Sequence, residues 1–357
     1  MSGLNGRIAK LIEVQGPISV AQYMTLALHD PDDGYYASRE PFGAKGDFVT
    51  APEISQMFGE LLALWCVQVW NDQGRPAGTR LVELGPGLGT LMADALKAWK
   101  RVPDFLDQVE LVLVESSPRL EAVQRQRLKS AGVRISWRAR FDLARSPLLV
   151  LANEFFDALP IRQYVKTRRG WCERMVVATE GALALALAPV PTPMAAIPVS
   201  RAGAPEGGIY EVCCPGTALS QEIAYEIASH GGGALIVDYG YGKIGFAETL
   251  QAVGSHRFAC LLAEPGRHDL SAHVDFMALG EAARRGGAVV FGPELQGALL
   301  ERLGISLRAR QLRKSHPSET ARLEAARNRL TEPDAMGKLF QAMAIMPPSA
   351  LPPPGFE

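Results

Sequence analysis

Apolar residues along this chain switch from helical to strand-like spacing and back. In the opening stretch, MSGLNGRIAKLIEVQGPIS, the positions of Ile8, Leu11 and Ile12 predict an amphipathic helix. A Gly- and Pro-rich loop, DPDDGYYASREPFGAKGDFVTAPEIS, then feeds the apolar helix QMFGELLALWCVQVW. From residue 79 the rhythm changes. RLVEL, ELVLVE, VRISW and PLLVLA read as strands, and GTLMADALKAWKR and PRLEAVQRQRLKS as helices between the first three. Strands alternating with helices of this length imply βαβ units and a parallel sheet. The sheet is expected to resume at GGGALIVDYGYG, followed by RFACLLAE and, after a helix, GAVVFG; helices and a mobile tail, PPSALPPPGFE, complete the pattern.

One segment imitates a membrane span. Residues 181 to 199, GALALALAPVPTPMAAIPV, carry no charge, but four prolines rule out a continuous helix. Leu183, Leu185 and Leu187 alternate with alanines after WCERMVVA and a Glu180-Gly181 turn, which predicts a β-hairpin. The expected organisation is therefore an N-terminal helical or lid segment over 1–75 and an α/β domain over 76–160. An inserted hairpin and loop for a substrate or partner occupies 161–225, the rest of the α/β domain with C-terminal helices 226–346, and the flexible tail 347–357.

Composition narrows the class. The 357 residues are 47% hydrophobic, enough for a sizeable core, and a net charge of −1 offers no field for nucleic acid or anionic lipid. Five cysteines without a CxxC pair form neither a disulfide framework nor a zinc site and suit a reducing compartment. The start lacks the long apolar core of a secretory signal and the Arg and Ser content of a transit peptide. A bacterial, cytoplasmic protein is expected, or a mitochondrial-matrix one if the chain is eukaryotic, with no membrane insertion.

Chemistry begins at VELGPGLGTL. Gly85, Gly87 and Gly89 lie between a strand and a helix, where glycine lets backbone approach a ligand and the helix offers free N–H groups. Thr90 breaks the dinucleotide fingerprint G-x-G-x-x-G, and no Lys-Ser/Thr pair makes a P-loop. Glu83 discriminates further: a carboxylate at this strand end repels a pyrophosphate but suits a ligand with an ammonium and a sulfonium, such as S-adenosylmethionine. Glu115, ending the next strand, is placed to take ribose hydroxyls or to cap the helix begun by SSP. Asp142, after the third strand, is a candidate for the adenine amino group or a turn residue.

The segments GDFVTAPEISQMFGELLALW, VELGPGLGTLMADAL, VESSPRL, NEFFDALPIRQY, IVDYGYG, LAEPGRHDLSAHVDF and MGKLFQAM follow one another from about residue 23 to 346. In these the chain resembles the MidA family of S-adenosylmethionine-dependent methyltransferases, whose mitochondrial members are arginine methyltransferases needed to assemble respiratory complex I. The resemblance implies a methyltransferase-type, Rossmann-like, mostly parallel sheet with an N-terminal helical cap and an inserted hairpin. It also implies S-adenosyl-L-methionine as cofactor and symmetric dimethylation of an arginine on a peripheral-arm subunit of complex I.

That substrate gives PLLVLANEFFDALP a role. Ligands of an open parallel sheet sit beyond the carboxyl ends of its strands, so Asn153, Glu154 and Asp157 are expected beside the sulfonium methyl. A guanidinium stays protonated, and bringing it to a sulfonium sets two positive charges together; carboxylates accepting its N–H groups offset the repulsion and aim one nitrogen. Glu154 is the first candidate and Asp157 the second; the plain alternative has Glu154 capping the following turn. In GDFVTAPEIS, Asp47, Thr50 and Glu53 could close over the cofactor with Thr50 on its carboxylate, or Pro52 and Glu53 could simply begin a helix. Asp238 and Tyr239 read as turn residues. HDLSAHVDF mimics a metal site, but Ser271 is placed to cap a helix there, and no metal is expected. Two other readings stand: a cofactor-binding assembly chaperone without turnover, and a dinucleotide enzyme disfavoured by Glu83 and Thr90.

Overall fold

A computed structural model describes residues 3–38, 49–254 and 257–357. Each of its two compact units is assembled from three stretches of chain: residues 1–48, 158–216 and 242–273 in the first, 49–157, 217–241 and 274–357 in the second.

The second unit is the α/β one. Its sheet takes β1 (Thr79–Leu84), β2 (Val109–Val114), β3 (Ile135–Arg138), β4 (Leu148–Asn153), β5 (Gly232–Tyr241), β6 (Val289–Leu295) and β7 (Phe340–Met346) in the order 3-2-1-4-5-7-6. β1 to β5 run parallel, and β7 is antiparallel to both neighbours. A sheet covered on both faces needs apolar side chains at nearly every position, which is why β4 reads as an unbroken run from Leu148 to Ala152. On one face Leu81, Leu113, Leu151 and Val237 share a core with two helices, α2 (Gln56–Asp72) and α3 (Thr90–Trp99), and a one-turn helix, α1 (Ala51–Ile54), precedes α2. Ser55 starts α2 by accepting the Met57 N–H at 3.2 Å.

Four expectations are corrected here. The first boundary falls at 48/49 rather than 75, because α2 buries Phe58, Leu62 and Trp65 in the α/β core. RFACLLAE gives the sheet no strand; Arg257–Ala259 joins a separate three-stranded sheet with Gln251–Gly254 and Asp269–Ser271. Residues 340–346, expected among helices, are β7: Ala and Met favour helix, but pairing on both sides overrides that preference. The tail is packed, with Phe356 7% exposed in the main core and its N–H donated to the Pro353 carbonyl. Phe356→Ala is therefore expected to cost about 3 kcal/mol in denaturant unfolding, as deletion of a buried aromatic does. A change under about 0.5 kcal/mol would show that the tail contributes no packing.

In the first unit the helix Leu4–Gln15 buries Leu4, Ile8, Ala9 and Ile12, while Leu11 faces outward. The predicted hairpin is present as Gly170–Thr179 and Ala182–Leu187, turned through Glu180 and Gly181 at φ +52° and +80°. Two successive positive φ values give the turn a twist matching its strands. Asp275 of the second unit, not Ser271, caps the helix Phe276–Arg285, accepting the Ala278 N–H at 3.0 Å; Ser271 lies in a strand. No helix among the described residues is long and apolar enough to cross a membrane.

Candidate active site

The strand order reverses between β1 and β4, so the carboxyl ends of these two strands flank the crevice where such sheets take ligands. All the groups described below belong to the second unit.

From the end of β1, Gly85, Gly87 and Gly89 carry φ of +61°, +54° and +75°. A side-chain-bearing residue in this left-handed region costs about 1–2 kcal/mol, so three in five residues demand glycine. At Gly85 space adds a second constraint, since a Cβ there would lie 2.7 Å from Phe155 Cδ2. The loop delivers the chain into α3 with Gly89 at its N-cap, where the first-turn N–H groups lack partners within the helix.

A residue the sequence reading passed over fixes this loop. Gln124, fully buried on helix α4 (Pro118–Leu128), donates its amide N–H groups to the Gly87 carbonyl at 2.9 Å and to Glu115 Oε2 at 3.0 Å. Its Oε1 accepts the Trp137 indole N–H at 3.0 Å. The signal was available: Leu120, Gln124 and Leu128 form the helix's buried stripe, and a polar residue there has to meet partners. Glu115 also accepts the Ser117 N–H at 2.8 Å, so it holds its own turn while facing the loop. Burial pushes its carboxyl above the usual range, against the bonds from Ser117 and Gln124.

Asp142 is not brought to this place. Its half-exposed carboxylate pairs with Arg80 Nη1 at 3.5 Å, and Arg80 is the second residue of β1, at the opposite end of the strand from the glycines. The irregular stretch after β3 carries it there. Thr50 immediately precedes α1 but its side chain does not cap it. The α1 N–H of Ala51 goes instead to Glu154 Oε1 at 2.9 Å. Glu53 accepts the Thr90 hydroxyl and lies 3.7 Å from Arg127 Nη1, tying α1 to the start of α3. Asp47 lies outside the described residues.

Beyond β4 the carboxyl groups gather. Glu154 sits at φ +50°, a position in which a non-glycine residue is strained, and its N–H bonds the Val237 carbonyl at 2.9 Å. Asn153 Nδ2 donates to Glu154 Oε1 at 3.1 Å. Burial, and then repulsion from Asp157, push the Glu154 carboxyl up to about 7, against the Ala51 and Asn153 bonds. Asp157 is 7% exposed. Asp238, expected in a turn, is instead a fully buried residue of β5 whose carboxyl is raised by burial and by Asp157 and Glu154.

Near the carboxyl ends of β1 and β4, Glu83 Oε2 and Asn153 Oδ1 are buried acceptors with no hydrogen-bond donor among the described residues. Burial alone pushes the Glu83 carboxyl up to about 8. The crevice thus offers acceptors and carboxyl groups to a ligand that brings N–H donors and positive charge. The Glu83 shift has a measurable consequence. A carboxyl raised on folding leaves the folded state binding the extra proton, so stability is fullest below about 4.5 and falls as pH rises towards 8. Glu83→Gln is expected to unfold at higher denaturant than the parent at pH 8.5, by a few kcal/mol, with the gap closing near pH 4.5. A gap independent of pH would mean that Glu83 is already paired.

A 3-2-1-4-5-7-6 sheet with a reversed seventh strand, a three-glycine loop and an acid where a pyrophosphate binder would avoid one define a methyltransferase of the Rossmann-like class. Comparison with known proteins carries this to a family. Residues 61–294 match the model of the S-adenosyl-L-methionine-dependent methyltransferase family, and the chain belongs to that family. Protein arginine methyltransferase NDUFAF7, mitochondrial, of Mus musculus is 37% identical, covering 94% of this chain and 82% of that protein. The Homo sapiens protein of the same name is 34% identical, covering 94% and 81%. A Burkholderia thailandensis crystal structure bound to S-adenosyl-homocysteine superposes with a TM-score of 0.86 at 30% identity, over 98% of this chain and 92% of that one. S-adenosylmethionine is accordingly the cofactor, and the unpartnered acceptors fit its ammonium.

Proposed function

We propose that the protein is an arginine N-methyltransferase that forms symmetric dimethylarginine on a peripheral-arm subunit of respiratory complex I and supports its assembly. The names of its relatives support the arginine, and one observation carries the chemistry: Glu154, strained and half-buried at the switch point beside Asp157. The mitochondrial location of those relatives fits a respiratory target, and a bacterial member would meet the same subunit from the cytoplasm.

When bound, the cofactor supplies an electrophilic methyl group on sulfur. Gly85, Gly87 and Gly89 let the backbone approach it, Glu115 accepts from its ribose, and Glu83 and Asn153 Oδ1 accept from its ammonium. Glu154 and Asp157 accept N–H groups of the substrate guanidinium, offsetting repulsion between the two cations and holding one nitrogen in line with the methyl carbon. A guanidinium nitrogen that takes the methyl group would release a proton. Glu154, with its carboxyl near 7, is matched to take that proton at neutral pH.

Mass spectrometry of complex I subunits from cells with and without the protein tests the proposal. A dimethylarginine present only in the first sample is expected. Loss of assembled complex I with an unchanged methylation pattern would instead mark a cofactor-binding chaperone without turnover.

A further inference from the structure

We infer that Asp238 is the positioning residue that sets the Glu154 carboxylate, by binding the turn that follows it as an anion binds a backbone nest. The inference rests on the role just given to Glu154. Its observations are geometric. Asp238 Oδ2 accepts three consecutive backbone N–H groups, from Phe155 at 3.1 Å, Phe156 at 2.9 Å and Asp157 at 3.3 Å, while Oδ1 accepts that of Tyr239 at 2.9 Å. Three successive N–H groups held on one oxygen fix the path of the turn, and the residue immediately before this run, Glu154, is left-handed at φ +50°.

Glycine would take that φ without strain, yet a glutamate is kept there. Something has to hold it, and the candidates can be counted. The Glu154 N–H is tied to Val237 of the same strand that carries Asp238, so β5 fixes the turn at both ends. The side chain is then directed to the Ala51 N–H of α1 and to Asn153. Four N–H donors on Asp238 suit a carboxylate, which only accepts, and not an amide, which must place an NH₂ against one of them. Asp238 makes no hydrogen bond to α1 or Asn153 here, so beyond its charge repulsion with Glu154 what it does there passes through the turn.

Asp238→Asn tests this in the full-length protein with two readouts. By NMR hydrogen exchange, the Ala51 amide, which bonds Glu154 and not Asp238, is expected to exchange at least ten-fold faster in the variant. S-adenosyl-homocysteine should still bind within about three-fold of the parent. Methyl transfer to the peripheral arm of complex I purified from cells lacking the protein should fall at least ten-fold in kcat with KM less affected. Because Asp238 acts through Glu154, Asp238→Asn added to Glu154→Gln should slow the reaction less than two-fold further. Unchanged Ala51 protection, or losses in the double variant that multiply, would overturn the inference. Full activity of Glu154→Gln alone would sink the role proposed for Glu154 instead, and Ala51 exchange would still decide whether Asp238 sets its position. Should Asp238→Asn fail to fold, Asp238→Glu, which keeps the charge but displaces it by one methylene, replaces it in both measurements.

Discussion

Gly87→Val is expected to abolish binding of S-adenosyl-homocysteine: calorimetry should show no heat at concentrations that saturate the parent. Valine at φ +54° is strained, and its branched Cβ stiffens χ1 as well. The loop has no easy way to relax, since the Gly87 carbonyl is held by Gln124, which also holds Glu115. Any reorientation of residue 87 therefore disturbs Glu115 along with the glycine turn. Gly87→Ala should weaken binding less, because its methyl is smaller and unbranched. Unchanged affinity in a folded Gly87→Val protein would move the cofactor away from this loop.

The larger effect on turnover belongs to Glu154→Gln. Glutamine keeps an oxygen for the Ala51 N–H and nearly the same volume, so cofactor affinity should change little and the fold should persist. Methyl transfer per folded molecule should fall by about a hundred-fold or more, the loss typical of one electrostatic stabilising group. The pH profile separates charge from shape. If the ionised form holds the guanidinium, kcat/KM of the parent rises with pH through about 7, following the raised Glu154 carboxyl, and the glutamine variant loses that limb. Near-parental rates in Glu154→Gln would transfer the role to Asp157.

The parallel strands and the glycine loop were legible because each leaves a local mark: apolar runs bounded by breaks, and glycines between a strand and a helix. What failed was non-local. Asp142 follows a strand just as Glu115 does, and nothing local tells that an irregular stretch carries it back to Arg80. Residues 340–346 carry the Ala and Met of a helix, and pairing with β5 and β6 decides otherwise. Asp238 in IVDYGYG resembles a turn aspartate; its partners lie 81 to 83 residues earlier in the chain. The Glu154 contact to Ala51 spans 103 residues and leaves no trace in either segment.

The place of β7 has a consequence for how the molecule is made. It is the seventh strand in sequence but lies inside the sheet, between β5 and β6. Until residues 340–346 have been synthesised, β5 has its parallel neighbour β4 on one side and a largely unpaired edge on the other, lined by Ala234, Leu235, Ile236 and Val237. An apolar open edge of that kind invites pairing with another chain. Nascent protein therefore passes through a stage in which the cofactor crevice can already be framed by β1 and β4 while the sheet is unfinished. Chains cut short before residue 340 should accumulate as aggregates rather than as a smaller folded enzyme.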